Sequence, residues 1–444
     1  MARPTPPWKL LLFSVIPLGV LMLLATLGLT ILEQAGIIHT GRTDDILSFP
    51  PPDYLSRITL DGGKVFEIRY AQAGDPLAFR RRFPVQKPEG SYRIILVGGS
   101  FALGDPYVDP ASASPGFGGI ADWMEAEFAM RLRTPHVEVI NAALGGTNST
   151  GVVEIVRQMT RTDPDVILVM TGNNDGHVFP SRANRWLNQW VVYRALKKVL
   201  LPAPGRRPRF APQDSDPDTI RANFRANLRE LVELAHDHGF QLVLSTMPIN
   251  YRFTLSDQHN PHDPPRPPPV RGEARTCPTP STARDGSVPP GDLYAFARCL
   301  EQTGRYEEAL QAYEAYVEAQ PLGRTRPSLN RIAREVAHEQ DIVLFDMERL
   351  ANTASSHGIA DPDLFFDNCH LVWRGYAAMA RSAVDLLIDQ GLLGAVVALP
   401  GARPSVEQII DAQGWEALYS FRPVVIPYQA PEFSPDVLPE SLAR

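Results

Sequence analysis

From Tyr92 onward, short apolar runs alternate with segments of helical period. The runs fall at 92–97, 137–140, 165–171, 240–246 and 341–346. They are nearly continuous rather than alternating, as strands buried on both faces read. Segments with apolar residues at helical spacing follow or separate them at 119–132, 151–161, 218–237, 328–339 and 374–389. Strands that alternate with helices predict an α/β domain, its parallel sheet covered on both faces. Ligands of such sheets bind outside the carboxyl ends of the strands. The polar, glycine-rich segments of this chain lie just after the first three strands, where such a site would be.

The strongest apolar run lies outside this pattern. Residues 10–32 carry no charge, with Arg3 and Lys9 before them and Glu33 after. At 1.5 Å per residue such a run is long enough to cross a bilayer as one helix. The basic residues ahead of it place 1–9 in the cytoplasm and the remainder outside. A cleaved signal peptide has a shorter apolar core and a small-residue cleavage site, so an uncleaved anchor is the expectation.

Residues 33–91 read as a membrane-proximal segment. They contain a hairpin-like stretch, 57–68, in which Asp61-Gly62-Gly63 supplies the turn. Two insertions interrupt the strand–helix alternation. The first, about 178–216, reads as an amphipathic helix with Trp186, Trp190, Lys197 and Lys198, then a basic loop with Arg206, Arg207 and Arg209. Tryptophans packed on the domain account for it, and contact with anionic lipid is the alternative. The second, 252–322, opens with the proline-rich stretch 262–269. It continues as a helical hairpin: Phe296 and Leu300, then Tyr306, Leu310, Tyr313 and Val317, fall at helix spacing around Gly304. Ala309, Tyr313, Tyr316 and Pro321 match the second half of a tetratricopeptide repeat. One such unit cannot bury its own face, so it is expected to dock on the main domain, with a protein partner as the alternative. The main domain then spans 92–390, and 391–444 is a tail with one short helix from Ser405 to Gln413.

Composition narrows the class. The chain has 444 residues, 44% hydrophobic and 21% charged, as globular proteins do. A net charge of −7 and a pI near 5.8 argue against nucleic acid as a general partner. The cysteines are Cys277, Cys299 and Cys369. Outside the cytoplasm Cys277 and Cys299 could pair, leaving Cys369 free beside His370; three unpaired thiols fit the sequence equally well. The spacing fits no zinc site, and no metal or cofactor is expected.

The candidate chemistry is spread along the sheet. Ser100 sits in the glycine turn 98–104 after the first strand of the domain, and Asp367 and His370 lie far downstream. A serine hydroxyl becomes a nucleophile when a base takes its proton. His370 can be that base, and Asp367 three residues earlier can fix its tautomer. The tetrahedral intermediate needs donors, and the backbone N–H groups of Ser100 and Gly146 and the side-chain amide of Asn174 are the candidates. The glycine turn does not fit G-x-G-x-x-G, and no Gly-Lys-Ser/Thr follows it, so dinucleotide and P-loop readings fall away.

In this order the motifs resemble those of the SGNH (GDSL-type) hydrolases. Gly98-Gly99-Ser100 stands where the family has Gly-Asp-Ser, with Gly99 for the usual aspartate. Gly146, or Gly145 in the other register, matches the glycine after the second strand. Gly172-Asn173-Asn174-Asp175 matches Gly-x-Asn-Asp, and Asp367 with His370 matches Asp-x-x-His. The resemblance covers about 92–390 apart from the insertions. It implies a three-layer α/β/α, flavodoxin-like fold and metal-independent hydrolysis of an ester or thioester, or acyl transfer. Bacterial members with an N-terminal membrane helix and a tetratricopeptide-like insertion are the most similar subset. The expectation is thus a membrane-anchored, extracytoplasmic serine hydrolase acting on acyl esters, with acetylated polysaccharide of the cell envelope as the favoured substrate. An acyltransferase of the same fold and a catalytically silent glycan-binding or scaffold protein are the alternatives.

Overall fold

The structure, a computed structural model, describes residues 7–34, 38, 50, 54–69, 80–107, 117–134, 136–176, 187, 190–200, 216–253, 277, 290–319, 324–399 and 403–421. The chain divides into two compact units, residues 1–47 with 178–211, and residues 48–177 with 212–444.

In the smaller unit the helix Pro7–Gln34 packs against a second helix, Val191–Leu200. Val20, Leu21, Met22, Leu23, Leu24, Leu27 and Ile31 of the first helix are exposed. A helix does form over 10–32, but among the described residues no helix is long and apolar enough to cross a membrane. The expected membrane span is therefore not borne out by the described residues. In the first insertion, Trp186, Arg206, Arg207 and Arg209 and the side chains of Lys197 and Lys198 lie outside the described residues.

The larger unit begins with an antiparallel sheet of β1 (Leu55–Leu60), β2 (Gly63–Arg69) and β3 (Arg80–Pro84). The β1–β2 turn falls where expected but takes two residues, since Gly63 already pairs with Leu60. Asp61 and Gly62 both take positive φ, 49° and 80°, the backbone that matches the twist of a tight hairpin. Phe66, Ile68 and Phe83 of this sheet are buried in the main core, so this part of 33–91 packs as one body with the α/β domain.

Next come β4 (Ser91–Gly98), β5 (Leu132–Thr134), β6 (His136–Asn141), β7 (Val166–Met170), β8 (Gln241–Thr246), β9 (Val343–Asp346) and β10 (Val397–Ala398). The principal sheet has five strands in the order β6-β4-β7-β8-β9, all neighbours parallel. This is the flavodoxin-like order, and it reverses direction at β4. Alternate strand residues feed two cores. Ile94, Leu96, Val166, Leu168 and Met170 enter one, under the helices Ile120–Arg131 and Trp373–Asp389. Ile95, Val97, Ile167 and Val169 enter the other, under Ser149–Met159, Pro217–His238 and Pro327–Glu339. Three layers result, as expected from strands that are apolar on both faces.

The second insertion contains the expected hairpin, with helices Pro290–Gln302 and Tyr306–Glu318. Its buried face, with Ala297, Leu300, Ala309, Tyr313 and Val317, joins the core that receives Ile94 and Leu96. Tyr294 donates to the Arg252 carbonyl at 3.1 Å and Tyr316 to the Phe253 carbonyl at 2.8 Å. Docking on the domain is thus the outcome, and no tetratricopeptide array is present among the described residues. Cys277 and Cys299 form a disulfide, and Cys369 is a buried free thiol. The tail contributes Ile409, Ile410 and Leu418 to the core as far as it is described.

Candidate active site

Ser100 opens a one-turn helix, Ser100–Leu103, at the carboxyl end of β4. The turn is tight because of its glycines. A Cβ on Gly98 would stand 2.0 Å from the Met170 carbonyl oxygen of β7, and one on Gly99 would stand 2.9 Å from Asn174 Nδ2 and 3.1 Å from the Thr147 oxygen. Position 99 is thus pressed between the loops that follow β6 and β7. Asn141, at the end of β6, donates through Nδ2 to the carbonyls of Ala102 and Leu103 at 3.3 and 3.0 Å. That side chain fixes the short helix whose first residue is Ser100.

His370 reaches this turn from the loop before the helix Trp373–Asp389. Its Nε2 lies 2.8 Å from Ser100 Oγ, and its Nδ1 lies 2.6 Å from Asp367 Oδ2. With the imidazole neutral, Nδ1–H donates to the carboxylate and Nε2 accepts the serine proton. Asp367 Oδ1 accepts the backbone N–H groups of Cys369 at 2.8 Å and His370 at 2.7 Å. The Asp-x-x-His turn therefore holds its own carboxylate still. Asn250, beyond β8, donates to the Asp367 backbone carbonyl at 2.9 Å.

Charge at the site follows from this geometry. Burial alone would push the His370 pKa down, but the charges and hydrogen bonds of Asp367 and Cys369 together outweigh it and set the imidazole well above its ordinary value of 6.5. Burial alone would raise the Asp367 carboxyl; the charge and hydrogen bond of His370 and the two backbone donors hold it below 3.8 instead. Burial raises the Cys369 thiol. Donor atoms of Asp367, Cys369 and His370 lie within 4.8 Å of one another. Both ring nitrogens of His370 are engaged by Asp367 and Ser100, so a metal would have to displace one of these bonds.

The three expected oxyanion donors belong to this end of the sheet. Ser100 starts its helix, Gly146 turns with φ 74°, and the Asn174 side chain follows β7. The left-handed φ is at 146 and not at 145, which gives residue 146 the stronger need for glycine. Asn174 Nδ2 spends one N–H on the Thr147 carbonyl at 3.0 Å, so the two loops are joined. An amide has a second N–H to give.

Several supporting residues have no local sequence signal. Thr325 donates its N–H at 3.1 Å and its hydroxyl at 2.5 Å to Asn173 Oδ1. Arg324 donates to the Asn250 carbonyl at 2.8 Å. Asp175 accepts the Ser149 N–H and hydroxyl at the start of the helix Ser149–Met159. Asn173 and Asp175 lie in the Gly-x-Asn-Asp motif; Thr325, Arg324 and Asn250 are known as partners only once the chain is folded.

A family profile described as GDSL-like Lipase/Acylhydrolase matches residues 98–383, more than half of the chain. The chain belongs to this family. It is accordingly an esterase or acylhydrolase, and the match runs from the turn that carries Ser100 past the loop that carries His370. Solved structures similar to this GDSL-like acylhydrolase include an acetyl xylan esterase, at 14% identity over 66% of this chain and 98% of that one, with a TM-score of 0.33. A psychrotrophic esterase from Pseudoalteromonas sp. shares 10% identity over 67% of this chain and 97% of that one, with a TM-score of 0.34. A GDSL-like lipase from Bacteroides thetaiotaomicron shares 12% over 68% and 87%, with a TM-score of 0.31. No curated protein matches the chain.

Proposed function

We propose that this acylhydrolase is a serine esterase in which Ser100, His370 and Asp367 form the catalytic triad, working at the cell envelope on O-acyl groups of glycans. The observation that carries the mechanism is the continuous bond from Asp367 through both ring nitrogens of His370 to Ser100 Oγ. Ser100 Oγ attacks the acyl carbonyl carbon, and its proton passes to His370 Nε2. Asp367 stabilises the imidazolium. The negative oxygen of the tetrahedral intermediate takes hydrogen bonds from the Ser100 and Gly146 backbone N–H groups and the Asn174 amide. Collapse breaks the bond to the alcohol, which leaves with the proton from Nε2. Water then attacks the acyl-enzyme, giving its proton to His370, and the carboxylic acid departs as Ser100 is reprotonated.

The N-terminal run supports this address. Its exposed residues include Leu21, Met22, Leu23 and Leu24 in succession, which point in every direction around the helix. A run of exposed apolar side chains suits a membrane contact. The Cys277–Cys299 disulfide suits an oxidising compartment. A tethered esterase outside the cytoplasm meets acylated surface polymers more readily than free esters, which favours acetylated polysaccharide.

The test is a fluorophosphonate probe on the full-length protein in detergent, read by intact mass, with acetate release from acetylated glycan measured in parallel. One adduct on wild type and none on Ser100→Ala supports the mechanism. A folded wild type that takes no adduct favours the silent binding protein. Transfer of the acetyl group to an added sugar, in place of its release, favours the acyltransferase.

A further inference from the structure

We infer that Arg324 and Thr325, the residues at which the chain re-enters the domain after the inserted hairpin, are positioning residues for both halves of the catalytic site. This rests on the serine-esterase reading above. The two residues are adjacent in sequence but reach opposite sides of the reaction centre. Thr325 grips Asn173 through its N–H and hydroxyl, at 3.1 and 2.5 Å, and Asn173 immediately precedes the oxyanion donor Asn174. Arg324 donates to the Asn250 carbonyl at 2.8 Å, and the Asn250 side chain donates to the Asp367 carbonyl at 2.9 Å. One dipeptide therefore bonds to the loop after β7 and, through Asn250, to the loop that carries Asp367 and His370.

Burial makes these bonds consequential. Arg324 is 7% exposed and Thr325 1%, while Asn250 and Asn173 are 5% and 7%. A guanidinium taken out of water is retained only where its hydrogen bonds and neighbours compensate for its desolvation. Here it lies 5.4 Å over the ring of Tyr316, on the second helix of the hairpin. Tyr316 in turn bonds to the Phe253 carbonyl, and Tyr251 stands against Tyr313. The hairpin is thus the wall against which Arg324 is seated. The space beside Gly172 fits the same account: a Cβ there would come within 3.1 Å of Thr325 Oγ1. The insertion acts as a brace that spans the site from behind, and neither residue need touch substrate.

Displacements near 1 Å by a mutation away from the chemistry can cost about a hundredfold in rate. A positioning role therefore predicts a loss in kcat with little change in KM, restored by the variant that keeps the bond. Full-length Arg324→Ala and Thr325→Val are expected to lose about ten- to a hundredfold in kcat toward an acetyl ester, with KM within about twofold of wild type. Arg324→Lys and Thr325→Ser are expected to recover most of it. Thr325→Val keeps the side-chain shape and carries the test alone if Arg324→Ala does not fold. Variants that melt cooperatively and retain wild-type kcat overturn the inference, as does a raised KM with kcat unchanged, which would make these residues part of substrate binding. Fluorophosphonate labelling separates the levels of failure. Wild type and both variants labelling equally fast at Ser100 overturns the brace and leaves the esterase standing; a wild type that does not label overturns both.

Discussion

Asp175 lies beneath the first turn of the helix Ser149–Met159, its carboxylate accepting the Ser149 backbone N–H at 3.1 Å and the Ser149 hydroxyl as well. The loop after β7 is thereby pinned to the loop after β6 one residue beyond Asn174. Removing the carboxylate strands a buried N–H, which costs about 1–3 kcal/mol. Asp175→Ala is expected to lose about that much in urea denaturation and to lower kcat by loosening Asn174.

The same carboxyl has a pH signature. Burial pushes it up to about 6, against the opposing hydrogen bonds from Ser149 and Thr171. Its folded pKa is above the unfolded value of 3.8, so its stabilising contribution is full below that value and is lost as pH rises through 6. Denaturation midpoints at pH 4.5 and 7.5 should differ less in Asp175→Asn than in wild type. An equal difference in both proteins would contradict the assignment.

His370 must be neutral to accept a proton, and Asp367 and Cys369 together hold its pKa well above 6.5. The rate constant kcat/KM should therefore fall as pH drops, with a midpoint above 6.5. Asp367→Asn removes the larger of the two charges that raise it. That variant should show a lower midpoint and a kcat reduced by about 10⁴, because the tautomer is no longer fixed.

Ser100→Ala should reduce turnover by about 10⁶ while leaving the melting temperature nearly unchanged, since the change removes one hydroxyl at a half-buried turn. Ester hydrolysis and thermal melts on the same preparation check both parts.

Neighbouring glycines should separate folding from catalysis. Gly98→Ala drives a methyl into the Met170 carbonyl at 2.0 Å, between paired strands, and is expected to fold poorly. Gly99→Ala meets Asn174 Nδ2, a side-chain end, at 2.9 Å and the Thr147 backbone oxygen at 3.1 Å, a milder conflict than at Gly98. It should fold and lose about 10²-fold in kcat, the scale of one displaced oxyanion donor. Soluble yield and kcat for the two variants tell these outcomes apart.

The principal sheet was legible because its strands are apolar on both faces, so 92–97 and 165–171 stand out from everything around them. β3 was not. Its Arg80-Arg81-Arg82 looks like solvated chain, yet Arg82 pairs with buried Glu67 of β2 at 2.8 Å and Arg81 donates to the Val139 carbonyl at 2.8 Å. Strand pairing that is completed by charges across the sheet leaves no hydrophobic period. The same contrast divides the site. Ser100, Asp367 and His370 sit in short motifs because local turns aim them, whereas Arg324 and Asn250 act largely through backbone carbonyls, which every residue has. The disulfide was open in the sequence because 22 residues of separation fix no distance; in the fold Cys299 sits on the first helix of the hairpin and Cys277 reaches it from outside that helix.

Ser100 and His370 stand 270 positions apart in the chain yet 2.8 Å apart in space. A polypeptide made from its N-terminus carries its serine long before its base exists. On the proposed mechanism, a copy that ends before residue 370 is therefore inert toward esters, however well its first strands have paired. On that mechanism activity arrives when the chain beyond β9 brings His370 to the end of β4. The onset of hydrolysis is then a report that the sheet and the loop beyond it have both folded.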